Sequence, residues 1–353
     1  MITIAWLPGD GVGREVTQGS FDLLQEFERF GTLQVDGPWP VGATGFHETG
    51  SVLPTETLTA CIRADAVLLG AVGEDPKVSP DRCPRPELAL LGLRQELDLA
   101  VSVREIISPR TGQSTTVVRN LLGGVYLDDT NRQESDGTGP ARDVVELYPD
   151  KIAEVAEIAC DHADRMVGRR FISVDKATVY ATSRLWRKVV DEVVSRRQLS
   201  FEHVYIDRAA FQFASDAHLP GMVLTEGLFG DILSDLIAGR AGSPAMCGSA
   251  SIRPYAKDGC RGLFEPAHGS APRRTGQDRV NPTGAFLSLA MLLKSFPATA
   301  ALGDAVRGGL STLLASGPHT YDLSTNAKEA IGTREFSELL QEQVRGRMPV
   351  PNG

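Results

Sequence analysis

Short apolar runs alternate with segments of helical spacing along the whole chain, and this alternation limits the possible folds more than any other feature. "ITIAWL" (2–7) ends in a glycine-rich turn, and residues 14–27 follow with apolar side chains at helical spacing. "AVLLGAV" (66–72) is apolar throughout, as is expected of a strand that is covered on both faces. The pattern predicts an α/β protein.

The remaining elements follow the same alternation. "LDLAVSVR" (97–104) has apolar residues at every second position, which predicts a strand that ends at Arg104. The polar stretch 127–144 has the composition of an exposed arm or loop. Further helices are predicted at 149–166, 183–197, 227–239, 281–296 and 333–345.

Composition narrows the class of protein. A length of 353 residues suggests two domains. The net charge of -9 is spread along the chain, which argues against a nucleic-acid or anionic membrane partner. The start "MITIAWLPGDG" lacks a basic leader, and no run approaches the roughly 20 apolar residues of a membrane span. The five cysteines form no C-x-x-C pair, so we expect reduced thiols and a cytoplasmic location.

The glycine-rich segment "PGDGVGREV" (8–16) has two interpretations. Glycines between a strand and a helix could cradle a phosphate at the helix N-terminus. The spacing is G-x-G-x-G, however, and not the G-x-G-x-x-G of dinucleotide-binding Rossmann folds. A tight turn that needs glycine dihedral angles explains the segment equally well.

Two acidic residues recur at helical spacing in "TEGLFGDILSD" (225–235). Asp231 and Asp235 are four residues apart, so both carboxylates leave the same face of a predicted helix. Like charges on one apolar face repel each other unless a cation neutralises them, and hard oxygen ligands suit Mg²⁺ or Mn²⁺. A surface pair near a helix start is the alternative.

Basic residues follow several apolar runs. Lys176 in "ISVDKATV" comes directly after a predicted strand, where a partly desolvated amine can act as a base. Arg94, Arg104 and Arg119 each end an apolar run, and together they could bind an acid with more than one carboxylate. An exposed loop lysine is the commoner explanation for Lys176. Taken singly, each arginine is equally consistent with an ordinary surface or ion-paired residue.

In combination, the motifs resemble those of the isopropylmalate and isocitrate dehydrogenase family, the metal-dependent β-decarboxylating dehydrogenases. The resemblance covers nearly the whole chain, and its last two motifs are highly specific. In chain order the motifs are "LPGDGVGREV", "AVLLGAVG", "LLGLR", "GGVY", "SVDKATV", "LFGDILSDL", "FEPAHGSAP" and "NPTGAFLS".

The resemblance implies a two-domain α/β fold with a large mixed sheet, not a Rossmann fold. Residues 1–100 and 248–353 would form a discontinuous nucleotide-binding domain, and residues 101–247 a central domain with the arm and the dimer contact. It further implies a homodimer in which Lys176 and Asp207 complete the partner's site.

Roles for individual residues come from the same resemblance. Arg94, Arg104 and Arg119 match the arginines that hold the substrate carboxylates. Lys176 matches the base that removes the hydroxyl proton, and Tyr126 matches the acid that protonates C3. The matching metal ligands are Asp207, Asp231 and Asp235.

The cofactor would be bound mainly by the loop that contains "HGSAP". NAD-using members continue this loop with an aspartate, whereas this chain has two arginines, which favours the 2′-phosphate of NADP. The "IGTREF" segment (331–336) resembles NAD-using members and keeps NAD open. The implied cofactor residues are His268, Gly269, Ser270, Ala271, Pro272, Arg273, Arg274 and Asn281.

The substrate prediction is oxidative decarboxylation of 3-isopropylmalate or a close analogue. Glu87, Leu90 and Leu91 match the acidic residue and two leucines that surround the alkyl group in leucine-pathway members. Asn120 and Gly227 depart from the usual glutamate and asparagine, and "LDDTNR" (127–132) lacks the usual arm sequence.

These departures leave open a specialised paralogue that acts on another 3-substituted malate, such as tartrate, homoisocitrate or isocitrate. A non-catalytic regulatory subunit is disfavoured because Lys176, Tyr126 and the three aspartates are all present.

Overall fold

The computed structural model describes twelve strands and eleven helices. The described residues are 1–74, 84–121, 123–124, 132–133, 135, 137–166, 168–215, 219–253 and 261–348. The helices are α1 (Gly13–Phe27), α2 (Gly42–Thr49), α3 (Thr55–Arg63), α4 (Leu88–Glu96), α5 (Pro149–Ala163), α6 (Ala181–Arg196), α7 (Ile206–Ser215), α8 (Gly227–Ala241), α9 (Thr283–Lys294), α10 (Ala300–Ser316) and α11 (Thr333–Arg345). The strands are β1 (Ile2–Gly9), β2 (Leu33–Asp36), β3 (Ala66–Ala71), β4 (Val101–Ile107), β5 (Ser114–Asn120), β6 (Arg132–Gln133), β7 (Arg142–Asp143), β8 (Phe171–Asp175), β9 (Glu202–Tyr205), β10 (Met222–Thr225), β11 (Cys247–Ile252) and β12 (Gly262–Pro266).

Ten strands join in one mixed sheet, with the order β2-β1-β3-β12-β11-β4-β5-β10-β8-β9. The four strands at each end pair in parallel with their neighbours. In the middle, β11 runs antiparallel to both β12 and β4, and β4 runs antiparallel to β5. The large mixed sheet confirms the predicted fold class. The pairing of β11 with β4 carries the sheet across the proposed domain boundary, and the division into two domains stays a proposal.

Strands β1 and β3 are covered on both faces, as the apolar run at 66–72 predicts for β3. Along β1, Ile4 and Trp6 enter the main core, whereas Ala5 and Leu7 enter a second core beneath α3 and α4. Every residue of β3 is buried. Helices therefore cover both faces of this part of the sheet, which fixes the register of its strands.

The strand predicted over 97–104 begins later, at Val101. Helix α4 ends at Glu96, and residues 97–99 form the turn that follows it, in which the Leu99 amide donates to the Arg94 carbonyl at 2.8 Å. Asp98 has a φ of 52°, which breaks the extended conformation. The alternation at 97–100 therefore reflects burial around a helix end and not a strand.

No helix within the described residues is both long enough and apolar enough to cross a membrane.

Candidate active site and the 268–278 loop

Strand register collects three charged side chains on one face of the sheet. Arg104 on β4 pairs with Ser249 on β11, which pairs with Glu265 on β12. Arg119 on β5 pairs with Ser102, two residues from Arg104 and therefore on the same face. Residues far apart in sequence thus become neighbours because partners in adjacent strands share a face.

Helix α8 lies over this face and brings the two aspartates to the arginines. Asp231 Oδ1 lies 2.9 Å from Arg119 Nη2 and 3.2 Å from Arg104 Nη2. Arg104 Nη1 lies 3.6 Å from Asp235 Oδ1 and donates to Ser234 Oγ at 2.6 Å. These four charged residues, Arg104, Arg119, Asp231 and Asp235, are called the arginine–aspartate cluster below. The aspartates are therefore not an isolated surface pair.

Arg94 joins the same region through Glu265. Its Nη2 lies 3.1 Å from Glu265 Oε1, and Glu265 is only 8% exposed. Burial raises the pKa of Glu265, while Arg94, Arg104 and Arg119 each oppose the rise. All three predicted arginines therefore act on one buried carboxylate. The sequence prediction missed Glu265, although an acidic residue inside the apolar strand "GLFEP" is an unusual signal.

Two guanidinium nitrogens at this site have spare donor capacity. The Nε atoms of Arg94 and Arg104 are buried and have no hydrogen-bond partner among the described residues. A buried donor is normally satisfied by protein, water or ligand. Such donors suit an anionic ligand with carboxylate oxygens.

Lys176 and Asp207 form a second group. Lys176 follows β8 directly and donates from Nζ to Asp207 Oδ1 at 2.8 Å. This hydrogen bond is the main reason why the pKa of Asp207 is lowered. Buried Asp175 supports the turn: its Oδ1 accepts from the Ala177 amide at 2.7 Å, and its Oδ2 lies 2.7 Å from Arg187 Nε. In the described part of the chain, no hydrogen bond or ion pair links this group to the arginine–aspartate cluster.

The carboxylates of Asp231 and Asp235 suit a hard divalent cation as ligands. The side chains of Asp231 and Asp235 are 40% and 68% exposed, so their carboxylates remain open to ligands. Partial desolvation raises the pKa of Asp235; Arg104 opposes this rise, and the charge of Asp231 adds to it. A cation would relieve this repulsion. No group of three metal-ligating acids, histidines or cysteines occurs within the described ranges, and Asp207 lies in the other group.

The predicted alkyl-binding residues lie on and just before α4. Leu91 is 43% exposed, Leu90 packs partly buried against the second core, and Glu87 is exposed just before the helix. Tyr126, the predicted proton donor, lies outside the described residues, so its position relative to these side chains stays a prediction.

The loop at 268–278 is exposed and positively charged at its turn. Ala271 has a φ of 38°, and a short 3₁₀ turn, Pro272–Arg274, follows. Arg273 and Arg274 are both exposed, as is Gly269, whereas Ser270 is buried. The guanidinium groups therefore face solvent, in the loop that the family resemblance assigns to cofactor binding.

The groups around this turn form a small cavity of about 250 Å³, lined by Arg274, Gln277, Arg279, Tyr321 and Asp322. The Arg279 guanidinium lies 4.2 Å from the centre of the Tyr321 ring. Asn281 is buried and donates to Asp322 Oδ2 at 3.2 Å. Burial lowers the pKa of His268, so its imidazole is neutral near pH 7.

The glycine-rich turn contacts this loop directly. The Val12 amide donates to the Ser270 carbonyl at 2.9 Å. Gly11 has a φ of 55°, and a Cβ there would overlap the same carbonyl oxygen. The glycines thus allow two backbones to approach each other, which favours the tight-turn interpretation over a phosphate cradle.

The chain is similar to a well-populated group of proteins. A family model described as isocitrate/isopropylmalate dehydrogenase matches residues 3–340. The 3-isopropylmalate dehydrogenase of Salinibacter ruber is 38% identical over 98% of this chain and 96% of its own length. That of Synechococcus sp. (strain CC9902) is 37% identical over 96% of this chain and 98% of its own length.

Solved structures give the same result. A β-decarboxylating dehydrogenase from Thermococcus kodakarensis is 30% identical, with a TM-score of 0.79, over 98% of this chain and 97% of its own. The isocitrate dehydrogenase of Methylococcus capsulatus is 25% identical, with a TM-score of 0.82, over 98% of this chain and all of its own. The similarity therefore extends over the whole chain.

Proposed function

The chain belongs to the isocitrate/isopropylmalate dehydrogenase family, and we propose that it oxidatively decarboxylates 3-isopropylmalate. Membership makes it a decarboxylating dehydrogenase. The observation that supports an acidic substrate most directly is the pair of buried Nε donors, on Arg94 and Arg104, that have no hydrogen-bond partner among the described residues. A 3-substituted malate carries two carboxylates and needs such a site.

In the proposed reaction, the arginines hold the substrate while its C2 hydroxyl is oxidised. A bound nicotinamide would accept the hydride from C2. The C3–carboxylate bond of the resulting β-keto acid would then break, and its electron pair would pass into an enolate as CO₂ departs. Lys176 would take the hydroxyl proton, and Tyr126 would return a proton to C3. Buried guanidinium groups keep the substrate in one orientation during both steps because their own positions are fixed by packing.

Asp231, Asp235 and Asp207 would hold Mg²⁺ or Mn²⁺, which when bound polarises the C2 oxygen and stabilises the enolate. Their fit rests on the exposed carboxylate oxygens of the first two residues. Asp207 would come from a second chain, because in one chain it lies with Lys176 in the other group.

We propose a homodimer with shared sites on the same grounds. Exposed apolar side chains occur on the neighbouring helices α7 and α8: Phe211 is 73% exposed, Ile232 58% and Leu228 39%. An apolar surface of this kind is typical of an oligomer contact.

Mixing inactive Lys176→Met with inactive Arg104→Ala chains should restore up to about a quarter of the activity, since half of the chains then form hybrids with one intact site. No recovery after verified subunit exchange would contradict the shared site.

The preferred dinucleotide is proposed to be NADP. Arg273 and Arg274 replace a carboxylate with two exposed cations, and Arg274 lines a cavity with a further arginine, Arg279. The one carboxylate in that lining, Asp322, already accepts hydrogen bonds from Asn281 and Thr320. The cavity can therefore bind a phosphate without an unpartnered negative charge.

A specialised paralogue stays the alternative, because Asn120 is 2% exposed beside Arg119 where leucine-pathway relatives were expected to carry glutamate. The test is a substrate panel with Mg²⁺ or Mn²⁺ and each dinucleotide, comparing isopropylmalate, isocitrate, homoisocitrate, tartrate and malate. We expect the highest kcat/KM with isopropylmalate and NADP. Faster turnover of a more polar malate would establish the paralogue instead.

A further inference from the structure

Glu15 makes a pair of contacts that the proposed reaction does not use. It lies in the first turn of α1 and reaches the far end of the 268–278 loop. One carboxylate oxygen accepts from the Gly276 amide at 3.0 Å, and the other accepts from the Asp278 amide at 2.7 Å. A carboxylate that accepts two backbone N–H groups fixes the segment between them because each bond is charge-assisted.

Asp278 passes this restraint on to α11. Its φ of 52° lies in the left-handed region that side chains other than glycine rarely adopt. Its Oδ1 accepts from the Arg334 amide at 2.8 Å, and its carbonyl accepts from the Thr333 amide at 3.3 Å. A Cβ at Gly332 would overlap its carboxylate, so the fit is close. Asp278 is thus bound to α1 at its amide and to α11 at its other polar groups.

The same β1–α1 segment therefore restrains the loop at two points. The Val12 amide holds the Ser270 carbonyl at 2.9 Å at the near end, and Glu15 holds Gly276 and Asp278 at the far end. Between them lie residues 271–275, which include the turn with both arginines. Within the turn, the Arg274 amide donates to the Ala271 carbonyl at 2.8 Å, and Gln277 Nε2 donates to the Arg273 carbonyl at 2.6 Å. Its residues are exposed or only half-buried, so core packing does not fix the position of the turn as a whole.

We infer that Glu15 is a positioning residue that sets the place of the Arg273–Arg274 turn and, through it, the selectivity for NADP over NAD. The inference rests on the proposed function, in which this turn meets the 2′-phosphate. Both carboxylate oxygens of Glu15 are engaged by the Gly276 and Asp278 amides, so it acts by reducing the number of conformations that the turn can adopt before binding.

The test is steady-state kinetics of Glu15→Ala with both dinucleotides on the full-length protein. We expect the KM for NADP to rise roughly tenfold, the size of one charge-assisted hydrogen bond, with a smaller rise for NAD. The kcat and the KM for the malate substrate should stay within about twofold, because the arginine–aspartate cluster is untouched. The KM of Glu15→Gln for NADP should lie between those of the parent and Glu15→Ala, since the glutamine side chain keeps one acceptor oxygen for one of the two backbone N–H groups.

Glu338→Gln is the matched control. Glu338 is exposed on α11 and lines the same cleft of about 620 Å³ as Glu15, and among the described residues it makes no hydrogen bond to the loop. Its substitution should leave both KM values unchanged. If Glu15→Ala does not fold, Glu15→Gln provides the same comparison.

Two results would overturn the inference: a KM for NADP that does not move, or equal rises for NADP and NAD. Failure of the proposed function looks different, because no malate would then be oxidised, or Arg273→Asp would leave the dinucleotide preference unchanged.

Discussion

The arginine–aspartate cluster and the 268–278 loop each contain two arginines, but the protein supports the two pairs in opposite ways. Arg104 and Arg119 are 8% and 2% exposed, and each lies within 3.2 Å of Asp231. Arg273 and Arg274 are exposed, and no carboxylate in the described part of the chain lies within ion-pair distance of either. The first region fixes its charges by burial and pairing; the second leaves them in solvent and fixes the backbone.

This contrast has a physical consequence. Removing either buried guanidinium takes away one of the two arginines that pair with Asp231 and leaves a buried position unfilled. An exposed guanidinium can be removed while water solvates whatever remains. Changes in the cluster should therefore disturb binding, catalysis and stability together, whereas changes in the loop should alter only the choice of dinucleotide.

The largest expected effect is that of Arg119→Ala. We expect kcat/KM for the malate to fall at least roughly a hundredfold, because bidentate binding of a carboxylate is lost and Asp231 loses a partner. Arg274→Ala, the matched change in the loop, should leave the KM for the malate nearly unchanged. Thermal unfolding of both variants separates lost binding from lost structure. A similar fall in kcat/KM for the malate in both variants would contradict the difference between the cluster and the loop.

The next effect concerns metal binding. Asp231→Asn should raise the concentration of Mn²⁺ needed for half-saturation roughly tenfold or more, because a charged oxygen ligand becomes neutral. Direct titration of Mn²⁺, followed by calorimetry, measures this without turnover. Asp304→Asn is the control: it removes an exposed aspartate that pairs with Lys294 at 2.7 Å, outside the cluster. Equal affinity in all three proteins would exclude Asp231 as a ligand.

A smaller effect is expected in the loop. Arg273→Asp should lower the ratio of kcat/KM for NADP to that for NAD by roughly tenfold, since a carboxylate repels the 2′-phosphate that a guanidinium attracts. Arg110→Asp, an exposed change in the turn between β4 and β5, makes the same charge change elsewhere. Should both variants shift the ratio equally, general electrostatics and not the turn would set the preference.

The smallest expected effect is that of a buried carboxyl group at the start of α8 on the pH dependence of stability. Glu226 precedes this helix, and burial raises its pKa from 4.5 to about 7. The folded state then holds a proton that the unfolded state has lost, so Glu226 makes stability fall as pH rises between 4.5 and about 7. Glu226→Gln should remove this slope and raise Tm at pH 8 by roughly 2 °C relative to the parent. Thermal scans at pH 5 and pH 8 measure the difference; parallel curves for both proteins would contradict the shift.

Much of the fold was predictable because its signals are local. The apolar run at 66–72 predicts a strand covered on both faces, and β3 is buried throughout. The helix predicted at 333–345 has those bounds in the structure. Local patterns failed at 97–100, where alternation came from a helix end, since burial alone cannot distinguish the two conformations over four residues.

The candidate site was predictable in its residue types more than in its contacts. The four-residue spacing of Asp231 and Asp235 places both on one face of a helix, and the sequence alone determines this because helical geometry acts over a single turn. Arg273 and Arg274 are adjacent in the sequence, so their closeness does not depend on the fold. Nothing local indicates that Arg104 and Arg119 neutralise Asp231, or that Glu265 lies in register with Arg104.

Tertiary structure alone decided those pairings, together with the separation of Lys176 from the cluster and the restraint of the loop by Glu15. The reason is physical. A side chain's own conformation depends on its near neighbours along the chain, but its charge partner depends on strand register and on which helix covers which face. Those are set by burial of the whole core, to which each local segment contributes only a small part.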